Sequence, residues 1–312
     1  MTQERHDDPL HALVIGGGSI GERHASVLSD LGLLVASVSA RADLPRPTFE
    51  RTDTAIAEWQ PAYVVIANET ASHQAAADEI RAAGFTGRLL VEKPLGFVST
   101  EWDHSPFSHT GVGFNLRFHP VLTRLARLID GATVHTVEAY AGQALATWRP
   151  GRDPLTQYSA FQSRGGGVLR DLSHELDYLQ WLFGDISGVF ARGGRVAEVT
   201  VDSDDAWAMV AETSRVPIVS LHMNYLDTSA RRRLVVNSSV GTIEADLVRG
   251  VVIHNGEVAS LEHQRDDTYS AMHSSMLSES FAGASLADGD RVEQVVTMVE
   301  RSARERLWVE RT

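Results

Sequence analysis

Apolar runs alternate with stretches of helical periodicity over the first hundred residues of this chain. Four mostly apolar runs have the character of strands that are covered on both faces, and they span residues 13–15, 33–38, 62–67 and 89–91. Between them, residues 20–31 and 71–83 carry apolar side chains at helical spacing. This order of strands and helices predicts an α/β domain with a doubly wound parallel sheet.

The pattern changes after about residue 113, where strand-like runs follow one another with little helix between them. These runs span residues 134–140, 206–212, 218–223, 232–237, 242–246 and 251–253. Several of them alternate polar and apolar side chains, so one face of their sheet is expected to meet water or another subunit. A helix is predicted at 168–183, and a final amphipathic helix at 288–306 can pack on either half. We therefore predict two domains, at residues 1–113 and 114–312, the second of the α+β class.

The composition is that of a globular protein and excludes several classes of function. Of the 312 residues, 43% are apolar, and 28 basic against 41 acidic side chains give a net charge of −13. Such a chain repels a phosphate backbone, so nucleic acid is not an expected partner. The absence of cysteine removes disulfides, thiolate catalysis and cysteine–zinc sites. No apolar run reaches about 18 residues and no signal peptide is evident, so we expect no membrane span and a cytoplasmic protein.

A glycine-rich loop follows the first predicted strand and opens the first predicted helix. Residues 16–21 fit the pattern G-x-G-x-x-G. The first glycine of this pattern makes a tight turn, the second lets the backbone approach a pyrophosphate, and the third lets the helix pack on the strand. The alternative is a glycine-rich turn without a ligand. The residues predicted to bind a dinucleotide here are Gly16, Gly18, Ser19, Ile20 and Gly21.

The end of the second predicted strand bears on the choice between NAD and NADP. An acid at this place binds the ribose 2′-hydroxyl and repels a 2′-phosphate. This chain has Ser39-Ala40-Arg41 there, and the nearest acid, Asp43, is expected beyond the strand end. Ser39 can donate to a 2′-phosphate and Arg41 can pair with it. NADP is therefore favoured over NAD, although a lone arginine in a loop is usually only solvated.

A lysine and a histidine are candidates for proton transfer. Lys93 precedes a proline at the carboxyl end of a predicted buried strand, which is the edge where ligands bind in such sheets. His174 follows three glycines on a predicted helix, near Asp171 and Glu175, and a carboxylate beside an imidazole orients it and raises its basicity. Taken singly, a surface lysine and a structural histidine are the commoner interpretations. No metal-ligand spacing is present, so no metal site is predicted, and a serine hydrolase is not predicted either.

Five motifs occur in order along nearly the whole chain. They are the glycine loop with His24 after it, residues 68–73, Glu92-Lys93-Pro94, residues 113–120 and the glycine-led helix that ends at 181–184. Together they resemble the glucose–fructose oxidoreductase / inositol dehydrogenase (Gfo/Idh/MocA) family. The resemblance implies a Rossmann domain and a second domain with an open, largely antiparallel sheet, which joins copies into a homodimer or homotetramer. It also implies hydride transfer between a nicotinamide and a secondary alcohol or ketone of a sugar, sugar nucleotide or cyclitol.

The resemblance also implies roles for individual residues. Lys93 matches a lysine that contacts substrate hydroxyl and cofactor, and Asp171 and His174 match the family's acid and histidine, so these three are predicted to be catalytic. We assign His174 as the base and Lys93 as the group that stabilises the oxygen, with Lys93 as the base kept as the alternative. Further cofactor contacts are implied for Asn68, Thr70, His73, Glu92 and Lys93. Substrate contacts are predicted for Asn115, Arg117, Arg149, Tyr158 and Glu175, with His119 and Arg152 as further candidates.

Several features depart from the family pattern. Asp171 and His174 are three residues apart rather than four, and the short segment 41–52 predicts a trimmed second Rossmann helix. Residues 171–177 are similar to a subgroup associated with acidic-sugar and surface-glycan gene clusters, and the arginines among the substrate candidates favour an anionic sugar. Two other functions stay open. One is a catalytically silent NAD(P)-binding regulatory protein, and the other is a redox-assisted glycosidase or lyase with tightly bound NAD.

Overall fold

The first half of the protein is built on a six-stranded parallel sheet. The computed structural model describes residues 9–96, 102, 105–148, 151 and 153–311. The strands are β1 His11–Ile15, β2 Leu34–Val38, β3 Thr48–Phe49, β4 Tyr63–Ile66, β5 Arg88–Val91 and β6 His109–Val112. Their order is β3-β2-β1-β4-β5-β6, and every neighbouring pair is parallel. The predicted doubly wound parallel sheet is confirmed.

Three helices connect these strands, namely α1 Ser19–Asp30, α2 Thr52–Trp59 and α3 His73–Ala82. The central strands form because both of their faces are apolar and covered, and all four side chains of β4 are fully buried. The second helix has only 8 residues, in line with the expected trimming. The sequence pattern missed β3 and β6, because β3 has two residues and β6 reads His-Thr-Gly-Val without an apolar run.

The second half contains a nine-stranded sheet. Its strands are β7 Val134–Gly142, β8 Ile186–Gly194, β9 Ala206–Thr213, β10 Ile218–Asn224, β11 Arg231–Ser238, β12 Gly241–Asp246, β13 Val251–His254, β14 Glu257–Ser260 and β15 Val309–Glu310. Their order is β14-β13-β12-β11-β7-β10-β9-β8-β15. Strands β7 and β10 pair in parallel, and the other neighbouring pairs are antiparallel. The expected open, largely antiparallel sheet is confirmed, with β8, β14 and β15 as strands that the pattern missed.

Short helices lie between and beside the two sheets, namely α4 Pro120–Leu128, α5 Leu145–Trp148, α6 Val168–Asp171 and α7 His174–Phe183. The prediction of one helix over 168–183 is wrong, because α6 and α7 are separated at Leu172 and Ser173. The backbone N–H groups of Ser173 and Glu175 donate to carbonyl oxygens only three residues back, at 3.2 and 3.1 Å. This tighter turn breaks the helix between the predicted acid and the predicted histidine.

The last two helices, α8 Asp267–Leu277 and α9 Leu286–Glu305, tie the halves together. Met272 and Met276 of α8 are fully buried in an apolar cluster with side chains of β1, β4 and α1, so α8 covers one face of the first sheet. Helix α9 packs on β8 and α7 and also reaches β6, where Gly289 lies against Val112. The final predicted helix therefore packs on both halves. None of the described helices is both long and apolar enough to cross a membrane.

Candidate active site

Close backbone contacts shape the glycine loop between β1 and α1. Gly16 has φ 117°, and a Cβ there would lie 2.6 Å from the carbonyl oxygen of Ala67. A Cβ on Gly21 would lie 2.1 Å from the carbonyl oxygen of Gly16, whereas the Cβ position of Gly18 has no atom within 4 Å. The first and third glycines are thus required by the fold, and the middle one leaves an opening at the N-terminus of α1, where unpaired N–H groups can bind an anion. The predicted residues Gly16, Gly18, Ser19, Ile20 and Gly21 therefore form one turn with an open centre.

A cavity of about 800 Å³ lies along the carboxyl edge of the first sheet, next to this loop. Gly16, Ser39 and Asn68 line it, as predicted, and the side-chain oxygen of Asn68 is buried without a hydrogen-bond partner among the described residues. Glu50 and Asp53 also line the cavity. The sequence did not indicate these two acids, because they follow the unpredicted strand β3. The position is that of ligands in doubly wound folds, outside the carboxyl ends of the strands.

Arg41 lies beside the loop, just after β2. Its Nη1 donates to the carbonyl oxygen of Gly17 at 2.8 Å, and its Nε and Nη2 donate to the two carboxylate oxygens of Asp43 at 3.0 and 2.7 Å. Its backbone N–H donates to the hydroxyl of Ser39 at 3.1 Å. Ser39 and Arg41 are therefore together, as the sequence predicted. Asp43, which lies beyond the strand end as expected, already pairs with the guanidinium.

Lys93 is the only lysine in the chain, and the other basic residues are all arginines. It follows β5, and its Nζ donates to the backbone carbonyl oxygen of Asp171 at 2.7 Å. This bond joins the carboxyl edge of the first sheet to the break between α6 and α7, so the two motifs predicted to be catalytic meet. An ammonium has three N–H groups, and the remaining two can reach a ligand.

Asp171 is held by two tyrosines rather than by the predicted histidine. The hydroxyls of Tyr158 and Tyr225 donate to its two carboxylate oxygens at 2.8 and 2.6 Å. Neither Asp171 nor Glu175 accepts a hydrogen bond from His174 within the described residues, so the expectation that one of them orients the imidazole does not match the structure. The helix break at Leu172 and Ser173 is the reason, since it separates the directions of the two side chains. Tyr158, a predicted substrate contact, instead fixes the residue whose carbonyl holds Lys93.

His174 is partly buried at the start of α7, with its ring edge-on to Phe114 at 5.7 Å between centroids. Its Nδ1 is buried and has no hydrogen-bond partner in the described part of the chain. Burial lowers the pKa of His174 well below its ordinary value, and the charges of Lys93 and Arg232 lower it further. The ring is therefore neutral at neutral pH and can accept a proton. It lines a second cavity, of about 290 Å³, together with the predicted Asn115.

Four buried polar side chains form a hydrogen-bonded chain from β4, through His273 of α8, to the lysine turn. The Tyr63 hydroxyl lies 2.8 Å from Nδ1 of His273, Nε2 of His273 lies 2.9 Å from Nδ1 of His24, and Nε2 of His24 lies 2.8 Å from a carboxylate oxygen of Glu92. The donors can all point the same way, with the last N–H donating to the carboxylate. Burial lowers the pKa of His273 well below its ordinary value, which keeps that ring neutral. The other oxygen of Glu92 accepts the backbone N–H of Lys93 at 3.0 Å, so Glu92 supports the turn from within.

Two predicted substrate contacts are paired inside the protein. Arg117 is buried, and its Nε and Nη2 donate to the carboxylate of Asp177 at 3.0 and 2.6 Å, while its Nη1 donates to Asp288 at 3.3 Å. Glu175 is fully buried, and one of its carboxylate oxygens lies 2.7 Å from Nε of Arg232. These contacts hold the fold together, so the expectation of a ligand on Arg117 or Glu175 does not match the structure.

The remaining predicted residues divide between the turn after β4 and the undescribed part of the chain. Thr70 opens a short 3₁₀-helix, Thr70–Ser72, and does not cap α3. His73 is buried, and its Nε2 donates to the carbonyl oxygen of Asn68 at 3.3 Å, so it braces the turn beside the cavity. Arg149 and Arg152 lie outside the described residues. Among the described residues, no group of three or more His, Asp or Glu side chains is arranged to hold a metal ion.

A family model matches part of the second half of the chain. Residues 123–244 match a family model described as the GFO/IDH/MocA C-terminal domain. No curated protein matches the chain.

Solved structures resemble the whole chain. GenD2 from gentamicin A biosynthesis, in complex with NAD, has a TM-score of 0.79 at 21% identity over 97% of each chain. Levoglucosan dehydrogenase in complex with NADH and L-sorbose has a TM-score of 0.85 at 17% identity, over 97% of this chain and 99% of that chain. The myo-inositol 2-dehydrogenase from Lactobacillus plantarum has a TM-score of 0.78 at 18% identity, over 97% and 100%. At these identities the likeness shows a shared fold. The family model thus covers residues 123–244, and the solved structures share the fold of nearly the whole chain.

Proposed function

We propose that the protein is an NAD(P)-dependent oxidoreductase that transfers hydride between a nicotinamide and a secondary alcohol or ketone of a sugar, sugar nucleotide or cyclitol. The observation that carries this proposal is the hydrogen bond from Lys93 to the carbonyl oxygen of Asp171. It brings the lysine at the ligand-binding edge of a doubly wound sheet next to the turn that carries His174. The likeness to structures of levoglucosan and myo-inositol dehydrogenases supports the same conclusion.

The residues at the carboxyl edge of the first sheet fit a dinucleotide. The opening at Gly18 and the unpaired N–H groups of Ser19 and Ile20 would hold a pyrophosphate, and the cavity of about 800 Å³ has room for the adenosine. NADP is favoured over NAD because Ser39 and Arg41 follow the end of β2 and no acid lies between them in the sequence. When bound, the nicotinamide supplies the hydride acceptor or donor.

Lys93 is placed to stabilise a substrate oxygen. Its ammonium is anchored by one hydrogen bond to a backbone carbonyl, and the carbonyl is fixed in turn by the two tyrosines that hold Asp171. A cation fixed in this way stabilises the negative charge that develops on an oxygen when hydride leaves the carbon, without reorganising during the step.

His174 is placed to move the proton of the reacting hydroxyl. In alcohol oxidation the hydroxyl must lose a proton. The neutral ring of His174 lines the cavity of about 290 Å³ and can accept this proton at Nε2, because its Nδ1 is buried. In ketone reduction the same nitrogen returns the proton. Lys93 as the base remains the alternative, because its side chain reaches the same turn.

Binding and turnover test the proposal separately. We expect calorimetric titration to show one site for NADH or NADPH, and the absorbance of reduced nicotinamide to change with a member of a sugar and cyclitol panel. His174→Asn should lower turnover about a hundredfold and leave nucleotide affinity unchanged. The control His222→Asn, on the other face of the second sheet, should change neither. A protein that binds no dinucleotide, or a His174→Asn variant that loses nucleotide binding, would refute the proposal.

The same measurements separate the two other functions. Nucleotide binding without turnover of any sugar or polyol would indicate a regulatory protein. Nucleotide that copurifies with the protein, and turnover without added nucleotide, would indicate a redox-assisted glycosidase or lyase.

The outer face of the second sheet supports a homo-oligomer. Phe190, Val210 and Ile218 are 39%, 48% and 52% exposed on neighbouring strands of this sheet. Exposed apolar side chains on one face of a sheet are typical of a contact between subunits. Light scattering should therefore give the mass of a dimer or tetramer.

A further inference from the structure

The cavity of about 290 Å³ beside His174 has a strongly basic lining. We call it the arginine pocket, after the three arginines among its six basic side chains, which are Arg23, His119, His174, Arg232, His263 and Arg265. No Asp or Glu occurs among the lining residues, all of which belong to the described part of the chain. The chain as a whole has a net charge of −13, so this concentration of arginine runs against its composition. A concave site lined by one sign of charge attracts ligands of the opposite sign.

The three arginines come from separate parts of the fold, α1, β11 and the segment before α8, and retain capacity for a ligand. Arg23 pairs with Asp266 only at 3.4 Å, and the aspartate side chain is 55% exposed, so water screens this pair. Arg232 faces Glu175 through Nε, and its two Nη groups donate no hydrogen bond within the described residues. Arg265 is exposed and forms no ion pair with a described acid.

Hydrogen bonds indicate which ring nitrogen carries the hydrogen in two histidines of the pocket, His119 and His263. Nδ1 of His119 accepts the backbone N–H of Val121 at 3.2 Å, so its Nε2 carries the hydrogen and donates to Nε2 of His263 at 3.0 Å. Nδ1 of His263 then donates to the carbonyl oxygen of Leu261 at 3.3 Å. Burial lowers the pKa of His119 to about 4, and the neighbouring His263 and Arg232 add to this effect. The positive charge of the pocket therefore resides on the arginines.

We propose that the arginine pocket binds an oxyanion of the substrate, a carboxylate or phosphate group, while His174 acts at the carbon that is oxidised or reduced. This inference rests on the proposed function. Guanidinium groups bind both oxyanions through paired charge-assisted hydrogen bonds. The sequence favoured an anionic substrate because of Arg117 and Arg149. In the structure Arg117 is paired internally, and other arginines line the site.

Titration of the NADH-loaded protein with matched sugars tests the inference. The probes are D-glucuronate, D-glucose 6-phosphate and D-glucose, which separate a carboxylate, a phosphate and a neutral group. We expect at least one anion to bind at least about tenfold more tightly than glucose, and Arg23→Gln/Arg265→Gln to abolish this preference. Arg232 is left intact, because its removal would leave Glu175 buried without its ion-pair partner. The control Arg304→Gln removes an exposed charge at the end of α9 and should change nothing.

The outcomes distinguish this inference from the proposed function. A wild-type protein that binds NADH but does not prefer either anion over glucose, or a double variant that keeps the preference, would overturn the inference. A double variant that loses affinity for NADH would also overturn it, because the arginines would then hold the cofactor. Failure of NADH to bind the wild type would instead refute the proposed function. The preference for D-glucuronate, whose carboxylate stays ionised over this range, should be constant from about pH 6 to about pH 9. A rise in this preference as the pH falls towards about 6 would place the charge on histidines and contradict the assignment.

Discussion

The proposed cofactor cleft has a reaction end around Lys93 and an adenosine end around Arg41. At the reaction end polar groups have buried partners from distant parts of the chain, whereas at the adenosine end they face solvent. Lys93 is anchored by a carbonyl of the second half, and Glu92 is held by a buried chain that starts on α8. Arg41, by contrast, has an exposed partner two residues away. The reaction end is therefore fixed before any ligand binds, and the adenosine end can change with little consequence for the fold. Substitutions should affect rate at one end and nucleotide preference at the other.

The largest effect is expected at Lys93. Lys93→Met should lower turnover about a thousandfold with little change in NADH affinity, because it removes the cation that stabilises the reacting oxygen. Lys93→Arg should not restore the rate, since a guanidinium is bulkier and does not release a proton at ordinary pH. Stopped-flow turnover and calorimetry measure the two quantities.

Because Lys93 is the only lysine, its side chain can be followed directly by NMR. Reductive methylation with ¹³C-formaldehyde labels one side chain and the terminal amine. The signal that Lys93→Met lacks is that of Lys93. Bound NADH should shift the Lys93 signal. An unchanged signal, or full activity of Lys93→Met, would place the chemistry elsewhere.

The second effect is on the pH dependence of folding stability, and it tests how deeply the reaction end is buried. Glu293 of α9 lies near Leu95, just after the lysine turn, and both of its carboxylate oxygens are buried without a partner among the described residues. Burial raises the pKa of Glu293 to about 8. The folded protein keeps this carboxyl protonated while the unfolded chain ionises it above about pH 4.5, so stability falls as pH rises from about 4.5 to about 8.

Glu293→Gln removes this dependence. We expect its free energy of unfolding to match the wild type near pH 4.5 and to exceed it by roughly 5 kcal/mol above pH 8, since the pKa is raised from 4.5 to about 8 and one pKa unit corresponds to about 1.4 kcal/mol. Denaturant titrations across this range measure the difference. Glu257→Gln, on the exposed strand β14, is the control and should show no such growth. A pH-independent difference for Glu293→Gln would contradict the burial argument.

The smallest effect is expected at the adenosine end. Arg41→Gln should weaken NADPH binding about tenfold and leave NADH binding nearly unchanged, because only NADPH has a 2′-phosphate for the guanidinium. Asp43→Asn should strengthen NADPH binding, since it frees Arg41 from its present partner. Equal losses for the two nucleotides in Arg41→Gln would contradict the assignment and remove the contrast between the two ends.

The sequence predicted correctly those elements whose pattern lies within a single segment of the chain. The glycine loop and the order of the first strands follow from spacing and apolar runs within one segment. The sequence also predicted that Lys93 and His174 would meet, but only through a family resemblance. The break between α6 and α7 escaped prediction because apolar periodicity continues across Leu172 and Ser173, although the backbone hydrogen bonds change there.

Long-range partners account for the remaining differences. Arg117 has the chemistry of a ligand contact, and nothing near it in sequence reveals that Asp177 and Asp288 bind it. The arginine pocket assembles Arg23 and Arg232 from elements far apart in the chain, so no motif marks it. The position of His273 beneath the lysine turn was not predicted for the same reason, since its partners, Tyr63 and His24, belong to the first half of the chain.

Helix α8 has a consequence for how this protein can be divided. It is encoded after the second sheet, yet Met272 and Met276 cover the first one and His273 completes the buried chain beneath the lysine turn. A fragment that stops near residue 113 would keep every nucleotide-binding motif but expose the apolar side chains of β1 and β4 to water. The first half is thus not a transplantable module, and any chimaera that exchanges it must bring along a helix from the far end of the chain.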